Sequence, residues 1–117
     1  MDSILTSIKK LLGIDEDYKQ FDMDIIILIN TSLGVLQQLG VGPEEGYSIT
    51  SKDETWDEFL GESAKLLEMV KTYVYIKVKL AFDSDSMSGS VLDAHKSLAD
   101  EYEWRICTQV ELMKKEG

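Results

Sequence analysis

Side chains that commonly carry catalysis or bind metals are scarce in this sequence, which has one histidine, His95, and one cysteine, Cys107. A metal site in a helical bundle needs several converging ligands, typically a glutamate three residues before a histidine on two helices. Leu92 and Leu98 occupy the positions three before and three after His95. The cysteine has no partner for a disulfide or a CxxC metal site. We predict no metal centre and no nucleophile, and we interpret His95 as a packing residue with a hydrogen bond.

The segment Asp83–Met87 begins like a calcium-binding loop, because its first and third residues are acidic. Such a loop needs an oxygen ligand at position five, glycine at six and glutamate at twelve. This chain has Met87, Ser88 and Ala94 there. The sequence also lacks a phosphate-binding P-loop and the GxGxxG and GxSxG motifs. We predict that the protein is not an enzyme and has no cofactor.

The composition indicates one globular domain, 1–117, long enough to bury a core without disulfides or metals. Its 22 acids and 12 bases give a formal net charge of −10, which argues against nucleic-acid binding through a basic patch. The apolar run Ile25–Ile29 is far shorter than the ~20 residues of a membrane-spanning helix. Because residues 1–3 lack the basic start of a signal peptide, we expect a cytoplasmic product without membrane association.

The most hydrophobic long stretch is Leu66–Phe82. Its residues 74–82 alternate between apolar and other side chains, which on its own is typical of a half-buried strand. The stretch also contains no glycine or proline and fits a helical spacing, so we predict a central helix that begins near Ser63 and is wrapped by the others. The residues with that spacing are Leu67, Val70, Val74, Val78 and Ala81.

Two helices are predicted before the centre of the chain. The first spans residues 3–12, with Ser3 or Asp2 as N-cap, and its apolar face must dock on its own domain or on a neighbouring subunit. An acidic linker, Ile14–Phe21, follows. We predict that Asp22 then caps a second helix, Met23–Leu39, although its β-branched start could pass for a strand.

A long loop is predicted over residues 40–54, which hold three glycines and the only proline. Tyr47 and Ile49 lie in this loop and either anchor it to the core or project to a partner. Thr55 and Glu58 fit a capping box, so we predict one helical turn whose Trp56, Phe59 and Leu60 face inward.

After a polar turn, Asp83–Gly89, a final helix is predicted over Val91–Lys114, with Ser90 as its cap. Tyr102 and Trp104 cannot both face the core, because two residues turn a helix by about 200°. One of them therefore lies at the surface, where tryptophan and tyrosine are favoured interface anchors. The residues predicted to pack on the central helix are Leu92, His95, Ala99, Tyr102, Ile106, Gln109 and Met113.

The fold class that these elements predict is all-α: a small bundle of about four helices plus a helical half-turn, with a long loop between helices two and three. The surface features favour a protein that works through its partners. The candidate subunit or partner interface residues are Ile4, Leu5, Ile8, Leu11, Tyr47, Ile49 and Trp104.

Several segments, in order and over nearly the whole chain, resemble the head-tail connector (adaptor) family of long-tailed bacteriophages and prophages. The family often has FDPP where this chain has FDSD at 82–85, so the resemblance makes no prediction for that turn. The matching segments are ILTSIKKLLGI at 4–14, FDMDIIILIN at 21–30, LGVLQQLGVGPEEGYSI at 33–49, ETWDEFLG at 54–61, VKTYVYIKVKLAFD at 70–83 and VLDAHKSLADEYEWRI at 91–106.

The resemblance implies a helical subunit that forms a ring of about twelve copies below the portal, extends the DNA channel and joins the DNA-filled head to the tail. The implied partners are further copies, the portal protein, a downstream neck or tail-completion protein, and DNA that passes without sequence-specific binding. The implied location is the neck of the virion, reached from the host bacterial cytoplasm. An alternative class is an acidic helical binding module, either a DNA-mimic inhibitor or an adaptor for one host protein.

Overall fold

The most hydrophobic stretch of the chain forms the central helix of the computed structural model, which describes residues 3–116 except the side chains of Glu62 and Glu116. This helix spans Leu67–Phe82. Its buried side chains point in several directions around the axis, which explains why strand-like alternation and helical spacing coexist in one sequence. The prediction of a central helix is confirmed. Its fully or nearly buried residues are Val70, Tyr73, Val74, Ile76 and Val78.

Four more α-helices complete an all-α fold, as predicted. We number the helices α1 (Ile4–Leu11), α2 (Asp22–Gln38), α3 (Trp56–Leu60), α4 (Leu67–Phe82) and α5 (Gly89–Glu116). Helices α1, α2 and α5 all pack against α4. Pairing of extended backbone within residues 3–116 is limited to one isolated bridge, between Ser3 and Thr55. The domain measures 42 × 34 × 20 Å, so it is about two helix diameters thick.

Local sequence signals account for several helix ends. The Ser3 hydroxyl accepts a hydrogen bond from the Thr6 amide at 3.1 Å, whereas the alternative cap, Asp2, lies outside the described residues. The capping box of α3 is confirmed in both directions, since the Thr55 amide donates to the Glu58 carboxylate and the Glu58 amide donates to the Thr55 hydroxyl. Trp56, Phe59 and Leu60 are buried, as predicted.

Three predicted helix starts are wrong. Asp22 does not cap α2, because its carboxylate pairs with Lys9 instead. The central helix does not begin near Ser63, since a 3₁₀ segment over Gly61–Leu66, kinked at Ser63, comes first. Ser90 lies inside α5, and the hydroxyl of Ser88 accepts the Val91 amide hydrogen bond at 3.4 Å.

Helix α5 packs on α4, and its buried residues are Ala99, Ile106 and Val110. The prediction that Gln109 faces the core is wrong, because the helical step from Ile106 leads to Val110 and leaves Gln109 exposed. The prediction that Tyr102 and Trp104 face different sides is confirmed, because Tyr102 is half-buried and Trp104 is 68% exposed.

Candidate assembly surfaces

A buried ammonium group joins α1 to the linker and to the start of α2. Lys9 is 2% exposed, and its Nζ donates to the carbonyl oxygens of Glu16 at 3.1 Å and Tyr18 at 2.7 Å. The same Nζ lies 2.7 Å from Oδ1 of Asp22. The ammonium therefore donates two hydrogen bonds to the linker and forms one close ion pair with α2. The acidic linker therefore folds around a charge that α1 provides.

The long loop is held to the core at Ile49. The Asn30 side chain, on α2, donates to the Ile49 carbonyl at 3.0 Å and accepts from its amide at 2.7 Å. Glu54 accepts from the amides of Thr50 and Ser51 at 2.9 and 3.1 Å. Burial raises the pKa of Glu54, but the bonds from Thr50 and Ser51 outweigh it, and the pKa falls below its ordinary value. The loop is thus held by Asn30 of α2 at Ile49 and by Glu54 at the next two residues.

Replacing Asn30 by alanine is expected to lower the free energy of unfolding by about 1–3 kcal/mol, because it leaves the amide and carbonyl of buried Ile49 without their partner. Urea denaturation measures the loss, and hydrogen exchange of the Ile49 amide locates it. Thr31→Ala is the matched control, because the exposed Thr31 hydroxyl bonds only to the Ile27 carbonyl of its own helix. Equal losses in both variants would contradict an anchoring role for Asn30.

Tyr47 joins the loop to α3. Its ring packs on Phe59 with centroids 5.5 Å apart, and its hydroxyl donates to Glu58 at 3.4 Å. Burial, followed by the carboxylates of Glu58 and Glu54, raises the pKa of Tyr47 from 10.0 to about 12. The phenol is therefore neutral and hydrogen-bonded at physiological pH.

The raised pKa of Tyr47 predicts a loss of stability in alkali. The unfolded chain ionises this phenol near its ordinary pKa of 10.0, whereas the folded chain ionises it near 12. The stabilisation is therefore complete below pH 10 and disappears as the pH rises toward 12. Tyrosinate absorbance should show a late phase that Tyr47→Phe reduces by one phenol. Tyr73 remains in that phase, because burial and its bond to Glu103 raise its pKa too. An unchanged late phase would exclude the assignment.

The structure separates the predicted interface residues into two groups. Ile4, Leu5 and Ile8, on α1, are at most 3% exposed, and Ile49 is 1% exposed. These four side chains therefore contribute to the core of their own chain. Tyr47 is half-buried. Leu11 and Trp104 remain available to a partner, with exposures of 47% and 68%.

Comparison with known families indicates which kind of protein carries these surfaces. The model of a family described as phage connector protein matches residues 4–112, almost the whole chain. The chain belongs to the phage connector family. The resemblance to head-tail connectors is confirmed by this match, and the family is a structural one. Searches of curated proteins and of solved structures give no significant match.

The connector also exposes apolar residues that the sequence analysis did not single out. Met23 and Ile27, on α2, are 70% and 57% exposed. The sequence pattern did not reveal them, because the run Ile25–Ile29 is apolar on every side of the helix and does not separate inward from outward positions. The available signal is the four-residue step between Met23 and Ile27, which places both on the face opposite buried Ile25 and Ile29.

The side chains that could take part in catalysis or metal binding occupy ordinary structural positions in this connector. Nδ1 of His95 lies 2.9 Å from the Val91 carbonyl oxygen one turn earlier, and Cys107 is half-buried as a free thiol. Within residues 3–116, histidine, cysteine and acidic side chains do not cluster as a metal site requires. None of the helices in that same range combines the length and apolarity of a bilayer span.

Proposed function

We propose that this connector forms a ring of about twelve copies below the portal of a phage or prophage head and joins the DNA-filled head to the tail. The observation that carries the proposal is the family match over residues 4–112. In this role one rim of the ring contacts the portal and the other contacts a neck or tail-completion protein. The subunit then belongs to the neck of the virion and is recruited from the host cytoplasm.

The distribution of charge supports a channel through which DNA moves without adhering. Residues 14–24 and 44–62 together hold twelve acids and two bases. Their net charge of −10 equals that of the whole chain. The remaining residues are balanced in charge. A ring that turns these acidic segments toward its lumen repels phosphate, so DNA passes with few attractive contacts.

The proposal is tested with the full chain, alone and mixed with the portal protein encoded in the same phage genome. Light scattering and negative-stain images should show rings, free or seated on the portal. A chain that stays monomeric in both samples and does not bind the portal would overturn the proposal. If such a monomer bound a DNA-processing protein instead, the acidic binding module would be the better description.

A further inference from the structure

The outer face of α2 is unusual for so acidic a chain. Residues 25–43 form the longest uncharged run of the sequence. The exposed positions Met23, Ile27, Thr31 and Gly34 share the face that points away from α4. A Cβ at Gly34 would meet no atom within 4 Å, so the surface at Gly34 is open. We call these four residues the α2 face.

The outer side of α5 offers a second apolar surface. Trp104 is 68% exposed and Leu112 is 46% exposed. Two acids beside them have a base nearby: Arg105 binds Glu101 at 2.7 Å, and Lys115 follows Glu111 by one helical turn. We call Trp104, Leu112 and Lys115 the α5 face. Asp100 and Glu101 lie one turn before Trp104, but residues 104–115 hold three bases and one acid. The α5 face is therefore apolar at its centre and basic toward its end, unlike segments 14–24 and 44–62.

Electrostatics favours a second copy as the occupant of the α2 face. Two copies with a net charge of −10 repel each other wherever their acidic segments meet, so they approach best through surfaces without net negative charge. The α2 face meets that condition from Ile25 onward, and its one flanking acid, Asp24, lies at the end of segment 14–24. The α5 face has a basic excess over residues 104–115, so the two faces attract rather than repel, and both expose large apolar side chains. Because the two faces differ, their contact is heterologous and can continue from copy to copy around a ring.

Spacing along the two helices gives the register of that contact. Trp104 and Leu112 are eight residues apart, about 12 Å, and Gly34 and Ile27 are seven apart, about 10 Å. In an antiparallel arrangement Trp104 covers Gly34 and Leu112 meets Ile27. The same register brings Lys115, in the basic last turn of α5, to Asp24, in the acidic first turn of α2.

We infer that in the ring the α5 face of one copy packs antiparallel on the α2 face of the next, with Trp104 against Gly34 and Lys115 against Asp24. This inference rests on the proposed function. It adds which two surfaces of the subunit meet and in which direction. Ile27 and Trp104 are the central apolar anchors, and the Lys115–Asp24 pair fixes the register from the rim.

The test uses Ile27→Glu, which blocks only the α2 face, and Trp104→Glu, which blocks only the α5 face. Each variant alone should lose ring formation and associate at least about tenfold more weakly than the natural chain. An equimolar mixture should give one-to-one dimers, because one intact α2 face remains for one intact α5 face. Val91→Glu, an exposed position about 20 Å along α5 from Trp104, is the matched control and should still form rings.

The register has its own test. Asp24→Lys and Lys115→Asp should each weaken the assembly, and the two changes in one chain should restore it. Circular dichroism and thermal melting check that each variant folds. If Ile27→Glu or Trp104→Glu unfolds, Ile27→Ser or Trp104→Ser takes its place. Rings formed by Ile27→Glu or by Trp104→Glu, or dimers of Trp104→Glu alone, would overturn the inference and leave the proposed ring intact. Absence of rings from the natural chain, with and without the portal, would instead overturn the proposed function.

Discussion

Replacing Lys9 by alanine is expected to lower the free energy of unfolding by about 3 kcal/mol or more. The change removes the buried ammonium, which leaves Asp22 without its cation and the carbonyls of Glu16 and Tyr18 without their donor. Breaking a buried ion pair at one partner costs more than the pair contributes, because the remaining charge stays desolvated. Urea denaturation followed by circular dichroism measures the loss.

Lys10→Ala is the matched control for this prediction, because Lys10 is the next residue of α1 and its side chain is exposed. Its cost should stay within about 0.5 kcal/mol, as for most surface substitutions. Adding Asp22→Asn to Lys9→Ala should recover part of the loss, since the unpaired carboxylate is then neutral. Similar costs for Lys9→Ala and Lys10→Ala would show that the buried ammonium does not organise the linker.

The helices were predictable because their burial follows local periodicity. In α4 the 3–4 spacing of Val70, Val74 and Val78 outweighs a strand-like alternation, since the helix is covered on most sides. The capping box of Thr55 and Glu58 was predictable for a similar reason. Its two hydrogen bonds join residues three apart and need no tertiary contact.

The ion pair of Lys9 shows where local pattern stops being informative. Lys9 follows Ile8 on the apolar face of α1, so its burial was visible in the helical spacing. Its partners come from the path of the linker, which no periodicity encodes. Asp22 also has the residue type of an N-cap, and only the three-dimensional position of Lys9 decides that it forms an ion pair instead.

The exposed apolar positions were only partly predictable, because an apolar helix face looks the same whether its own chain or a neighbour covers it. Ile4 and Ile8 are fully buried by the rest of their own domain. Met23 and Ile27, which the pattern gave no reason to place outside, are the exposed ones. An exposed aromatic residue on α5 was predictable, because the distance between Tyr102 and Trp104 forces one of the two side chains outward, and that residue is Trp104.

At the base of the long loop, the backbone of Gly42 lies so close to Phe59 that a side chain at position 42 would overlap the ring. Its φ is +87°, and a Cβ at this position would lie 2.5 Å from Cε1 of Phe59. Phe59 is 2% exposed and supports the ring of Tyr47, so it cannot move away without disturbing the loop. The close approach of backbone and ring therefore requires glycine for two separate reasons, conformation and space.

Replacing Gly42 by alanine is expected to cost about 3 kcal/mol of unfolding free energy, from about 1–2 for the left-handed backbone and about 1–3 for the overlap with Phe59. Gly13→Ala isolates the first contribution, because Gly13 has a φ of +80° and nothing within 4 Å of its added Cβ. Urea denaturation should rank Gly42→Ala well below Gly13→Ala in stability, and Phe59→Leu should relieve part of the difference. If the two alanine variants lost the same stability, the packing of Phe59 on Gly42 would not be the constraint, and backbone conformation alone would explain both glycines.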